Sequence, residues 1–303
     1  MTASTLSDQD IASLAATHDI INLGMMADEV RQRLHGLHTT FVRVVDVPVD
    51  GGPPIVPATA GEIRIVGTPS TRQAALDRVR VVAATARGIP VSGFSLADLE
   101  RMAAVEGETL RSLLEELCAA GLELVAEAPF DRLQDARRSI EEVNISGLAL
   151  ARLTIHQLPS SDALSLFKRI AELQRRVGVI RTFAPLARSL SPAVPTTGYD
   201  DVKRVALARL IVENIPSIQV DWSLYGPKLA QVALTIGADD IDGVSPEDGP
   251  HEGRRRAPLE EIRRNIRAAG QEPVERNGRF ELLDGLAPSG RGPARGRQDV
   301  PQA

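Results

Sequence analysis

Short apolar runs alternate with stretches of helical period along most of this chain. Val91–Phe94, Leu122–Ala126, Leu148–Ile155, Val179–Phe183, Ile218–Trp222 and Asp240–Gly243 are bounded by turn residues and read as strands. Between them the 3.6-residue period predicts helices over Thr71–Ala86, Leu96–Ala104, Thr109–Ala120, Asp131–Val143, Asp201–Glu213 and Pro227–Ile236. Another helix runs from a cap at Ser160 or Ser161 to Val177. Ser70 or Thr71 and Ser95 are further caps, and Gly121 and Gly178 are stops. Two helices come first, Asp10–Ala16 and Ile21–Gly36, the second gathering Leu23, Met26, Ala27, Val30 and Leu34 near one face. Near the other end lie a helix over Leu259–Ala269 and a hairpin over Pro273–Leu283, with Asn277-Gly278 as a type I′ turn.

One unit breaks the alternation. The strands Thr40–Val47 and Glu62–Val66 are joined by 14 residues holding four prolines and three glycines, with no helical period. About eight strands, nearly all linked by helices, call for a parallel sheet, and short buried strands at this repeat favour an α/β fold of the (β/α) barrel type. A doubly wound sheet is the alternative. The pattern divides the chain into N-terminal helices (1–38), a barrel (39–244), a helix-and-hairpin extension (245–284) and a tail (285–303) whose composition predicts disorder. The Pro/Ser stretch 185–198 and the Glu/Gly/Arg stretch 245–257 read as loops.

Composition narrows the function classes. The chain has 303 residues, 43% hydrophobic and 25% charged, ordinary values for a globular protein. A formal net charge of −5 argues against nucleic acid as a partner. No run approaches a membrane span, and MTASTLSDQDIASL has no signal-peptide pattern, so a cytoplasmic protein is expected. The single cysteine, Cys118, sits among leucines and alanines and reads as a packed thiol. There is no HExxH, CxxC, GxSxG or glycine-rich phosphate loop, so no metal site is expected.

In a barrel, function collects at the carboxyl ends of strands. There the sequence places Asp46 and Pro48, Gly67 and Thr68, Phe94 and Ser95, Glu127, Thr154 and His156, Arg181 and Arg188. Asp221, Trp222 and Tyr225 follow, then the cluster Asp239, Asp240 and Asp242. From these the candidate ligand-binding set is Phe94, Glu127, His156, Arg181, Asp221, Trp222, Tyr225, Asp239, Asp240 and Asp242, a polar cup with aromatic walls suited to a small anionic or aromatic ligand. Each also has a plainer reading: DDIDG as a turn, His156 as a satisfied strand-end histidine, Trp222 as core, and EGRRRAPLEEIRR as a solvated face.

The run 198–243, GYDDVKRVALARLIVENIPSIQVDWSLYGPKLAQVALTIGADDIDG, resembles the closing part of the aminofutalosine synthase, dehypoxanthine futalosine cyclase and deazaflavin-synthase group of radical S-adenosylmethionine (SAM) enzymes. LGMMADEVRQRLHG, EIRIVG, GFSLADLERMAAVEGETLRSLLEELCAAGLELV, VIRTFAPLA and PVERNGRFELL resemble further segments of that group, so the likeness covers most of residues 20–283. It implies a radical-SAM-like TIM barrel and a place in menaquinone biosynthesis by the futalosine route. It also implies a [4Fe–4S] cluster, held by a CxxxCxxC loop after the first strand, and bound SAM.

The expected cluster loop and its helix are missing together here: TTFVRVVDVP passes straight into the Pro/Gly connection. Gly67 stays as a remnant of the SAM loop, while its expected glycine partner is Thr68 and the later glycine-rich stretch is AEAPFDRL. The expectation is therefore an incomplete barrel without a cluster or other cofactor, its first loop closed over the cluster position. Such a chain would be a pseudoenzyme: a non-catalytic partner of an active radical SAM paralogue, or a ligand-binding protein. A non-radical lyase or hydrolase acting on a small aromatic or enolpyruvyl compound is the alternative. The family reaction itself is the third reading, and it lacks its ligands.

Overall fold

Caps and stops chosen by local chemistry set most of the elements. In this computed structural model, which describes residues 7–157, 163–189, 198–247, 249 and 257–283, two helices lead. They are α1 (Asp8–Ala16), capped by Ser7, and α2 (Ile20–His35), capped by Asp19. The barrel then runs β1 (His38–Pro48), β2 (Glu62–Val66), α3 (Arg72–Ala83), β3 (Val91–Ser95), α4 (Leu96–Glu106), α5 (Leu110–Ala120) and β4 (Leu124–Pro129). It continues through α6 (Ala136–Ile145), β5 (Ala149–Leu150), β6 (Leu153–Ile155), α7 (Ala163–Val177), β7 (Thr182–Ala187) and α8 (Gly198–Ile211). It finishes with β8 (Ser217–Asp221), α9 (Trp222–Leu234) and β9 (Asp240–Val244), followed by α10 (Pro258–Ala268) and β10 (Glu272–Arg276).

Among the described residues all the pairings between named strands are parallel, and the order β1-β2-β3-β4-β6-β7-β8-β9 returns to β1. The barrel is therefore complete, with eight staves, and not the incomplete one expected. The run Leu148–Ile155 supplies one stave in two pieces, because β5 pairs with the start of β4 and β6 with its end. Apolar side chains fill the space between strands and helices, Phe41, Ile63, Ile65 and Val79 among them, with Phe167 edge-on to Phe183 at 5.7 Å. No helix among the described residues is long and apolar enough to cross a membrane.

The connection from β1 to β2 forms no helix, as its composition predicts. None of residues 49–61 lines the pocket at the carboxyl ends of the strands. Arg78 of α3 donates through Nη1 to the carbonyls of Gly51 and Gly52 at 2.9 and 2.7 Å, strapping the loop to the outer helix layer. Thr59 donates to the carbonyl of Pro246 at 2.5 Å, and Gly61 N–H to that of Arg43 at 2.8 Å.

Several expected boundaries move, two of them with a clear cause. β7 begins at Thr182, three residues later than predicted, and runs through Pro185 to Ala187, four residues beyond the predicted end. Its ladder to β8 uses only Thr182 and Phe183, so the missing proline N–H falls outside that pairing. Trp222 is the first residue of α9, because the Asp221 carboxylate accepts from Leu224 N–H at 3.0 Å and starts the helix.

The predicted hairpin is instead β10, parallel to β1 along His38–Val42, with a single return bridge from Arg276 to Leu282. Its turn is not type I′. Phe280 carries the positive φ (66°), and the Asn277 side chain accepts from the N–H groups of Arg279 and Glu281. Gly278 is needed for room, since a Cβ there would lie 3.0 Å from Glu62 Cγ. The predicted caps Ser160 and Ser161, most of the two predicted loops and the tail lie outside the described residues.

Candidate functional site

Eight-strand parallel barrels usually pack branched apolar side chains through their interior. This one is threaded by charge. At the floor, Asp240 accepts from Nε and Nη2 of Arg276 at 2.7 and 2.6 Å, from Gln219 at 2.6 Å and from Thr40 at 2.5 Å. The Arg276 guanidinium lies 3.9 Å over the Phe280 ring, so β10 and its turn plug this end. Asp239, beside the floor, accepts from Arg209 and from Ile218 N–H at 2.8 Å, with His35 at 3.3 Å.

One layer up, Arg64 of β2 places Nη1 and Nη2 on the two oxygens of Asp242, at 3.0 and 2.8 Å, and its Nε on Glu62 at 3.0 Å. Arg152, at the break between β5 and β6, reaches across the barrel to the same Asp242. Burial works against the Asp242 charge, yet Arg152 and Arg64 hold its carboxyl well below the ordinary carboxylate range. Burial and the neighbouring Arg64 push the Arg152 pKa down, against the pull of Asp242. Arg152 is 3% exposed, and its Nε is buried without a partner.

Above this layer opens a cup of about 300 Å³ at the carboxyl ends of the strands. Arg188 donates to Asp221 at 2.6 Å and lies 3.3 Å from Glu127 Oε2, which is buried and accepts no hydrogen bond. Burial works against the Arg188 charge, and Asp221 and Glu127 more than offset it. Asp221 also accepts from Ser223 at 2.7 Å. Asp46 stands at the rim with no hydrogen bond or ion pair among the described residues. The protein packed around its carboxyl raises its pKa against the opposing charge of Arg64. Phe94 forms part of the wall with φ at 65°, a conformation rare for a bulky residue. Gly67 lines the cup too. Its φ is 105°, and a Cβ there would lie 3.0 Å from Val49. A side groove of about 720 Å³ shares Thr68, Ser95, Asp98 and Glu127 with the cup and continues along α4 to His156.

The structure thus brings Phe94, Glu127, Asp221 and Gly67 together in the cup, with Asp242 directly beneath. His156 lines the groove, where its backbone N–H donates to Asp131 at 2.7 Å. The other expected cup residues lie elsewhere. Arg181 precedes the shifted β7 and faces the opposite end of the barrel, donating to the carbonyl of Arg279 at 3.1 Å. Trp222, 8% exposed, is part of the core behind α9. Tyr225 packs against that core and donates to the carbonyl of Ala187, with its pKa pushed up by burial. Asp239 and Asp240 belong to the floor. Sequence reasoning passed over Arg64 and Arg152, although each is a lone charge inside an apolar run, IRIV and LALARLTI.

A cluster held by three thiolates does not fit the residues after β1. No cysteine lies between Pro48 and Glu62, and Cys118 is on α5, bordering a groove with Leu124 and Ala149 at the starts of β4 and β5. No group of three His, Cys, Asp or Glu among the described residues is placed to hold a metal ion.

Residues 185–288 match the family described as the CofH/MqnC C-terminal region. The chain is 30% identical over 236 residues to the aminodeoxyfutalosine synthase of Thermus thermophilus, covering 67% of this chain and 63% of that one. It is also 30% identical over 240 residues to the 5-amino-6-(D-ribitylamino)uracil–L-tyrosine 4-hydroxyphenyl transferase of Methanopyrus kandleri, covering 68% and 64% respectively. It therefore spans a little under two thirds of these relatives. Among solved structures, methylornithine synthase (PylB) superposes with a TM-score of 0.65 at 13% identity, over 90% of this chain and 95% of that one, a likeness of fold. The matched C-terminal region, these relatives and the closed barrel together place the chain in the CofH/MqnC group.

Proposed function

We propose that this chain is a clusterless member of its group that binds a small ligand in the barrel mouth and acts as a non-catalytic partner in the futalosine route to menaquinone. The observation that carries this reading is the end of β1, where a strapped Pro/Gly connection without a cysteine replaces a helix. Without three thiolates nothing holds the fourth-iron site that cleaves SAM, so radical chemistry has no source in this chain. The cup nevertheless keeps ordered charges and an open mouth. An anionic or aromatic molecule, handed to or from an active radical SAM paralogue, suits it.

Anaerobic reconstitution with iron and sulfide tests the reading directly. The expected result is no stoichiometric iron after desalting; about four irons per chain would overturn it. A second reading, non-radical lyase or hydrolase chemistry, is favoured by the unengaged Asp46 carboxyl, an acid or base at the rim of the cup. Turnover of a small carboxylic acid by iron-free protein, lost in Asp46→Asn, would establish it.

A further inference from the structure

The barrel wall has a seam at its amino end, far from the cup. β5 pairs with β4 alone and β7 starts only at Thr182, so Ala149 and Leu150 share a groove with Val179 and Ile180 instead of a ladder. The seam is built into the fold. Ser217 N–H donates to the Arg181 carbonyl at 3.1 Å, so alternation turns the backbone of Ile180 toward β5. There the buried amide of Gln174 answers it, donating to the Ile180 carbonyl at 2.9 Å and accepting from its N–H at 3.1 Å. With those groups satisfied by a side chain, nothing draws the two staves together.

Two lobes of about 530 and 870 Å³ open from this seam, and Asn144, Ala149 and Arg181 line both. Of their apolar walls, Ala149 is exposed, and Val179, Cys118 and Phe280 are half-buried, so each keeps surface for a ligand. One charge in the groove lacks a counterpart. Arg279 holds both of its carboxylates, Glu123 at 2.6 Å and Glu281 at 4.0 Å. Asn277 also donates to Glu281 at 2.6 Å. Arg181 is exposed and donates through Nη1 to the carbonyl of Arg279 at 3.1 Å, and no carboxylate pairs with it among the described residues.

We propose that this seam binds an aliphatic carboxylate, its head on Arg181 and its chain laid past Ala149 into the lobe bordered by Cys118 and Phe280. A guanidinium with free N–H groups matches a carboxylate in two parallel hydrogen bonds. A phosphate dianion is disfavoured, because Glu123 and Glu281 border the same lobe. The open, two-lobed shape and mainly aliphatic walls suit a flexible chain over a rigid ring system. The site is separate from the cup and does not depend on what the cup binds.

Cys118 is the single cysteine and borders the larger lobe, so its labelling reports occupancy from within the site. The test is the rate of iodoacetamide labelling of the full chain with octanoate, 1-octanol or propionate added, together with calorimetric titration of the same three. Octanoate is expected to slow labelling several-fold and to bind about tenfold more tightly than 1-octanol, the worth of one charge-assisted hydrogen bond. Propionate, a head without a chain, should leave the labelling rate unchanged. Arg181→Gln should lower octanoate affinity to that of 1-octanol. Ala149→Trp, filling the groove from an exposed position, should abolish octanoate binding, and both variants should keep the native melting temperature. Octanoate that binds without slowing the labelling sits elsewhere, the cup included, and overturns the proposal. Equal affinities for octanoate and 1-octanol, native affinity in Arg181→Gln, or no octanoate binding by the folded native chain would overturn it as well.

Discussion

The floor and the mouth of this barrel are built from the same residue types and put them to opposite uses. At the floor both oxygens of Asp240 are answered by protein donors, and Arg276 is spent on Asp240 and the Asn277 carbonyl. At the mouth, Arg152 keeps its buried Nε without an acceptor, Glu127 Oε2 has only the Arg188 charge at 3.3 Å and no hydrogen bond, and Asp46 has no hydrogen bond or ion pair among the described residues. A saturated network of buried charge closes one end of the barrel, and an unsaturated one leaves the other receptive. Position in the ladder, rather than composition, separates the two.

The comparison breaks most readily at the floor. Asp240→Asn removes the charge that answers a fully buried guanidinium, and urea unfolding should register a loss of about 3–5 kcal/mol. Unfolding unchanged, with ligand binding impaired, would move Asp240 from floor to cup. A smaller effect is expected at Gly278, where an added Cβ presses on Glu62; Gly278→Ala should cost about 1–3 kcal/mol in the same measurement.

At the mouth the sign reverses. Asp242 and Asp221 have depressed pKa values, so the stability they contribute is present above the ordinary carboxylate range and is lost as pH falls through their folded values. Asp46 is raised, so its contribution is present at low pH and fades as pH rises through its folded value. Asp46→Asn should therefore stabilise the protein near neutrality, by roughly 0.5 kcal/mol or less after solvent screening at the rim, with no gain in acid. A stabilisation that persisted in acid would show that Asp46 acts through packing instead. Least of all is expected from Cys118→Ser, on the half-buried side of α5: a change within about 0.5 kcal/mol and no change in binding.

Period and punctuation made the staves legible, because a strand is announced by its own residues. Glu62–Val66 falls where its apolar run predicts, and Gly121 stops α5 in the left-handed conformation its position suggests. The misplacements came where a distant partner decides. Pro185 looks like a loop residue until β8 is seen to leave its N–H unneeded, and correcting β7 carries Arg181 to the other end of the barrel. Asn277-Gly278 looks like a hairpin turn until Glu62 is seen above it. The DDIDG cluster is one motif in sequence, but its three aspartates serve the outer floor, the floor and the middle layer, as strand alternation and closure dictate. The contact between Arg152 and Asp242 joins staves separated by two others, β7 and β8, and no single segment foretells it.

The first strand has a consequence for how the protein is made. β1 gives its upper half to β2, but its lower half to β9 and β10, some 200 or more residues later in the chain. At a synthesis rate of roughly 5–20 residues per second, β1 emerges roughly ten to fifty seconds before β10 can join it. Through that interval Phe41 and Val42 belong to a stave with an open edge, exposed to any other strand nearby. Ribosome pausing late in the message would lengthen the exposure of the earliest strand. In the cell this barrel is vulnerable for most of its own translation and becomes safe only as its last strand arrives.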